Sequence, residues 1–183
     1  MKDLSLHLLD VAQNSVAAGA EEIDLCLTLE DDGKACLAVR DNGSGMSPEF
    51  LARVTDPFTT TRTTRKVGMG LPLLRMAAEQ TGGGLEVESE QGVGTTVTAL
   101  FDTTHIDCPP EGDFPATVSL LIQGAPDREW TWKHVTPKGT ATLDTRQLRQ
   151  VLGTDVPLSE PAVVQWIKEY LQEQEQELKG RLQ

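Results

Sequence analysis

Apolar Leu4, Leu8, Val11 and Ala12, followed by Ser15, recur at helical spacing and predict a helix over residues 4–18, stopped by Gly19. The period then changes. Ile23, Leu25, Leu27 and Leu29 alternate with Asp24, Cys26 and Thr28, which is the pattern of a half-buried strand. Asp31-Asp32-Gly33 is a hairpin turn signal, so residues 35–40 read as a second, antiparallel strand. Ser47 as N-cap, with Pro48 at the first helical position, opens a short helix. A longer helix runs from Gly70 to about Gln80 and is stopped by Gly82-Gly83-Gly84. Strands at 85–89 and 95–101 follow, joined by the turn around Gly92. Hairpins outnumber crossovers, so the expected fold is α+β, a two-layer α/β sandwich with a mixed or antiparallel sheet.

Residues 102–116 are rich in proline and acid and read as a linker. Beyond them, 117–122 and 129–135 read as strands, 140–143 as a third, and 144–152 as a short helix ahead of Gly153. Ser159 caps a helix through about Leu178, with Val163, Val164, Ile167, Tyr170 and Leu171 on one face. The expected organisation is a domain at 1–101, a linker at 102–116 and a small appended α+β region at 117–183. Trp130-Thr131-Trp132 is either a partner surface or part of that region's core.

Charge alters this picture in one place. The net charge is −12, which speaks against nucleic-acid binding. No run of apolar residues is long enough for a membrane span, and Met1-Lys2-Asp3-Leu4 does not open a signal peptide. Cys26, Cys36 and Cys108 have no metal or disulfide spacing. The expected setting is cytoplasmic, with no membrane and no nucleic acid. Between Arg53 and Arg75, however, Arg53, Arg62, Arg65, Lys66 and Arg75 face the single acid Asp56. A cationic island in an acidic chain is a candidate anion site, because the local field steers a ligand.

Four segments carry candidate chemistry. Asp10 and Asn14 share a helix face, where an amide oxygen can ligate magnesium and a carboxylate one turn earlier can act on a nucleophile. Asp41-Asn42-Gly43-Ser44-Gly45-Met46 ends a strand with a carboxylate suited to an amino group and two glycines that let a ligand approach. Asp56-Pro57-Phe58-Thr59-Thr60-Thr61-Arg62 runs on to Gly68-Met69-Gly70-Leu71 at a helix N-terminus, which favours phosphate. It fits neither a Walker loop nor a Rossmann fingerprint. Gly92-Val93-Gly94-Thr95 leads into a strand. His105 and His134 lack metal-ligand spacing, and His7, followed by Leu8-Leu9-Asp10, reads as a packing or surface histidine of the opening helix.

Taken in order, these segments over residues 4–101 resemble the GHKL superfamily, the ATP-binding module shared by DNA gyrase, heat-shock chaperones, histidine kinases and mismatch-repair ATPases. Its boxes match Asn14, Asp41 to Gly45, Asp56 to Phe58, Gly68 to Gly70, and Gly94-Thr95. The resemblance implies a Bergerat-type fold that binds ATP and magnesium. It implies Asn14 as the magnesium ligand, Asp41 at the adenine amino group, and Gly43, Gly45 and Met46 as the adenine and ribose wall. It further implies Gly68, Met69, Gly70 and Leu71 at the phosphates, Thr95 behind the adenine, and Arg62, Arg65 and Lys66 as lid contacts. Asp10 stands where related enzymes carry a glutamate base. No acceptor histidine hairpin precedes Asn14, so the expectation is a solitary module acting on a separate partner protein, with a homodimer left open. It would be an ATPase or kinase in trans, or else a nucleotide-gated regulatory module.

Overall fold

The computed structural model describes residues 2–56 and 70–180. Asp3 caps helix α1 (Leu4–Ala17), its carboxylate accepting from the Leu6 N–H at 2.9 Å. Strands β1 (Glu22–Leu29) and β2 (Lys34–Asp41) form the expected antiparallel hairpin. Helix α2 (Pro48–Leu51) is followed by α3 (Gly70–Gln80) and a second hairpin, β3 (Gly84–Glu90) with β4 (Gly94–Asp102). The remaining elements are α4 (Phe114–Gly124), β5 (Glu129–Thr136), β6 (Gly139–Asp144), α5 (Thr145–Leu152) and α6 (Pro161–Gly180).

The strands form one mixed sheet in the order β3-β4-β2-β1-β5-β6, antiparallel throughout except where β5 pairs with β1. The alternation seen in β1 sends Ile23, Leu25 and Leu27 into the core and leaves Glu22 and Asp24 exposed on the opposite face. Helices cover the apolar face side by side, α3 against α1, α1 against α4, and α4 against α6. This is the expected α+β sandwich. None of the helices among the described residues is long and apolar enough to cross a membrane.

One element differs in kind from expectation. Residues 117–122 are the middle of α4, not a strand. The Asp113 carboxylate caps the helix by accepting from the Ala116 N–H at 3.0 Å, and Pro115 sits in its first turn. Those signals override the strand preference of Thr117-Val118.

The sheet also does not stop at residue 101. β5 lies along β1 over seven residue pairs, from Glu22 with Glu129 to Thr28 with Val135. Trp130 and Trp132 are each 1% exposed and belong to the same apolar cluster as Leu8, Leu25 and Phe101. They are core, and the partner-surface reading of these two tryptophans is overturned; Phe114 stacks on Trp132 at 5.0 Å between ring centres. The proline-rich stretch is tied to the start of α1. Pro110 and Glu111 carbonyls accept from the Leu4 and Ser5 N–H groups, each at 2.9 Å. The Asp113 N–H donates to Ser5 Oγ at 3.1 Å. Two first-turn donors of α1 are therefore satisfied by the distant segment.

Candidate functional site

Asp41 is the last residue of β2 and sits between Ile23 of β1 and Thr95 of β4. Its carboxylate is held from two sides. Ser15 Oγ, on the buried face of α1, donates to one oxygen at 2.6 Å, and the Gly43 N–H donates to the other at 2.8 Å. Each donor takes one carboxylate oxygen, and together they fix the direction of the group. Asn42 points away from this site. Its side-chain oxygen accepts from the Glu21 and Glu22 N–H groups, each at 2.9 Å, which locks the strand end.

The loop after Asp41 is fitted so closely that side chains are excluded. Gly45 has φ of 69°, and an added Cβ would lie 2.1 Å from the Glu90 carbonyl oxygen. Gly94 has φ of 149°, and its added Cβ would lie 2.0 Å from the Asp41 carbonyl oxygen. Hydrogen bonds close the arrangement, from Ser44 N–H to the Ala18 carbonyl at 2.9 Å and from Gly92 N–H to the Ser44 carbonyl at 2.7 Å. Ser89 Oγ accepts from the Met46 N–H at 2.8 Å and lies 2.8 Å from Thr95 Oγ1.

These elements enclose a cavity of about 110 Å³. Asp41, Asn14, Ser15 and Thr95 give it a polar side, while Val11, Met46, Phe50, Val54, Leu71 and Val97 make the rest apolar. That is well below the size of a typical drug-sized site, so it suits one flat ring system and not a whole nucleotide. A larger open groove of about 770 Å³ also touches Asp41 and Thr95. Its walls carry Glu22, Asp24, Glu88 and Glu90, the wrong sign for phosphates despite Arg40.

Helix α3 begins beside the Asp10–Asn14 face of α1. A Cβ added to Gly70, its first residue, would stand 3.4 Å from Asp10 Cβ and 4.0 Å from the Asn14 side-chain nitrogen. Helix α3 thus presents its positive end to the Asp10–Asn14 face of α1. One amide oxygen from Asn14 suits magnesium only together with phosphate oxygens and waters, the set this ion prefers. Among the described residues no cluster of three His, Cys, Asp or Glu forms a metal site of its own. The Asp10 carboxylate is paired with the Lys2 ammonium. Next to this pair His7 is 3% exposed, and burial, aided by Lys2, holds its pKa below the ordinary value.

Of the residues expected from the sequence, Asn14, Asp41, Gly45, Met46, Leu71 and Thr95 line the one cavity. Gly43 packs behind Asp41 and Gly70 against Asp10 and Asn14. Phe58, Arg62, Arg65, Lys66, Gly68 and Met69 lie outside the described residues. At the ends of the basic island, Arg75 pairs with Glu79 at 2.8 Å, and its guanidinium donates to Thr55 Oγ1 at 3.1 Å. Arg53 Nε donates to the Glu49 carbonyl at 3.3 Å. Ser15, Ser89, Phe50, Val54 and Val97 were not anticipated. Ser15 alone had a signal, a polar residue inside the apolar stripe of α1.

Known proteins show which family the sequence resembles and which fold it shares. The family model described as "Histidine kinase-, DNA gyrase B-, and HSP90-like ATPase" matches residues 2–105, more than half of the chain. The Sensor protein SrrB of Staphylococcus aureus (strain NCTC 8325 / PS 47) is 34% identical over 101 residues, which are 52% of this chain and 17% of that protein. SrrB of strain COL matches to the same extent. The chain therefore spans under a fifth of these relatives. A crystal structure of the N terminal domain of a DNA repair protein superposes with a TM-score of 0.56 at 18% identity. It covers 84% of this chain and 58% of that one, a likeness of fold.

Proposed function

The chain belongs to the histidine kinase-, DNA gyrase B- and HSP90-like ATPase family, and from that premise we propose that it binds ATP with magnesium at the Asp41 cavity. One observation carries the reading. The Asp41 carboxylate, oriented by Ser15 and Gly43, faces a small apolar cavity as an acceptor. An adenine ring offers that acceptor its amino group while its faces meet Met46, Val54 and Leu71. Gly43, Gly45 and Met46 form the wall, and Thr95 supports Asp41 from β4. Asn14 would hold magnesium, which when bound supplies neutralising charge at the phosphates. The first N–H groups of α3, from Gly70 and Leu71, lie along the phosphate path. Arg62, Arg65, Lys66, Gly68 and Met69 complete the proposed phosphate contacts.

The chain's role is to act on a separate protein in a signalling setting, as an ATPase or as a kinase. The match to a sensor protein supports that setting, and use of ATP fits a cytoplasmic location. Asp10, one turn before Asn14, would accept the proton of the attacking water or hydroxyl. The Lys2–Asp10 pair favours a second reading, because the ammonium holds one oxygen of the carboxylate that would act as the base. In that reading nucleotide binding gates a partner without useful turnover.

Thermal melts with magnesium and ADP or ATP test the site. Wild type should be stabilised by about 3 kcal/mol at a hundredfold excess of ligand over Kd. Asp41→Ala and Asn14→Ala should each lose that gain; its survival in both would discard the site. Asp10→Asn then separates the two readings, abolishing turnover but not binding if Asp10 is a base.

A further inference from the structure

Helix α2 is four residues long and buries none of them. Its start is nonetheless well made. Ser47 Oγ accepts from the Phe50 N–H at 3.3 Å, and Pro48 opens the first turn. This short, capped turn carries an aromatic residue, Phe50, that is 41% exposed. The part of the ring left in water gains nothing from folding. Phe50 does line the cavity, on the apolar side together with Met46, Val54 and Leu71. The polar side, Asp41 and Thr95, can recognise the edge of a ring but cannot cover its face.

We propose that Phe50 is a base-binding residue, which packs on the flat face of the nucleobase and closes the cavity when nucleotide enters. This rests on the ATP-site reading and adds a division of labour to it. Asp41 discriminates among bases through its hydrogen bond, and Phe50 supplies affinity that is indifferent to base identity, because every base has an apolar face. Phe50 is the side chain whose exposed area the ligand would bury. The α2 turn lies against β3 and adds no residue to the core, so its position can adjust without loss of packing.

The test is calorimetric titration of the full chain with ADP, GDP and adenosine. Phe50→Ala should weaken ADP about tenfold or more and adenosine by the same factor, since the loss lies at the base. Phe50→Tyr should bind as wild type does, and Phe50→Leu should fall between. The ratio of ADP to GDP affinity should be unchanged in Phe50→Ala, whereas Asp41→Ala should collapse it. Melts without ligand should show a single cooperative transition for every Phe50 variant, because α2 adds no fully buried residue to the core. Phe50→Ala binding ADP within about twofold of wild type would overturn the proposal, as would a loss confined to ADP with adenosine unaffected. Failure of wild type to bind ADP defeats the ATP-site reading and this proposal with it. Failure of Phe50→Ala to differ defeats the proposal alone.

Discussion

His7 is buried on α1 with its Nδ1 lacking a hydrogen-bond partner among the described residues. Burial depresses its pKa, the Lys2 ammonium adds to the effect, and Asp10 and Asp3 oppose it. Below about pH 6.5, the ordinary value for histidine, the unfolded chain takes up a proton that the folded chain resists. Stability should therefore fall as pH drops from about 6.5 towards the lower native value. His7→Gln should lose this part of the pH dependence. Urea denaturation of both proteins at pH 7.5 and 5.5 measures it, and an equal loss in the two would show that His7 contributes nothing. The Asp41 site shows how far single residues were legible. Asp41, Asn14, Gly45 and Thr95 stand in motifs whose chemistry is local, and they meet at one cavity. Ser15 and Ser89 act through long-range contacts, Ser15 to Asp41 across 26 residues and Ser89 to Met46 across 43. Nothing in a linear pattern marks a hydroxyl that will face a carboxylate from another element.

At the scale of elements, periodicity worked where one face was buried and failed where two signals competed. The β1–β2 hairpin has strict alternation and an aspartate-glycine turn, and it forms as the expected antiparallel pair. Residues 117–122 are β-branched and apolar, and they read as a strand until Asp113 and Pro115 are recognised as a helix start. Those two residues had been assigned to a linker, which hid the cap. Helix α5 shows what docks a short element. Thr145 is fully buried; its hydroxyl donates to Glu129 at 2.6 Å and accepts from the Trp130 N–H at 2.8 Å. Arg149 grips the same Glu129 at 2.9 Å and donates to the Pro126 carbonyl at 2.6 Å and the Arg128 carbonyl at 3.0 Å. Thr145→Val keeps the shape but leaves the Trp130 N–H without its acceptor and takes from Glu129 one of its two donors, Arg149 remaining. It should cost about 2–3 kcal/mol, and Thr145→Ser should restore most of that. Denaturant midpoints of the three proteins decide it, and an unchanged midpoint for Thr145→Val would remove the network as the reason α5 docks.

For the whole molecule, the family match ends at residue 105 and the sheet does not. Composition suggests a boundary at 102–116, because proline and acid are concentrated there, yet composition carries no information on which strands pair. The structure joins the two parts in three ways. β5 lies parallel along β1, Phe114 and Trp132 pack into the cluster that holds Leu8 and Leu25, and residues 110–113 bond to the first turn of α1. Removing residues 106–183 would open the β1 edge, uncover Leu25 and Leu27, and free the Leu4 and Ser5 N–H groups. An exposed strand edge beside an uncovered apolar face favours aggregation over a stable fold. The full chain should thus unfold in one cooperative transition, with the same midpoint by circular dichroism and by the fluorescence of Trp130 and Trp132. A 1–105 fragment should be insoluble or lack a cooperative melt. Two separated transitions, or a 1–105 fragment as stable as the parent that still binds ADP, would mean that the sheet pairing contributes little and that residues 106–183 are an independent attachment. A single transition would instead make α1, which carries Asn14 and Ser15, sensitive to whatever binds the C-terminal part. Residues 110–113 hold its first turn, and the cavity lies against its last.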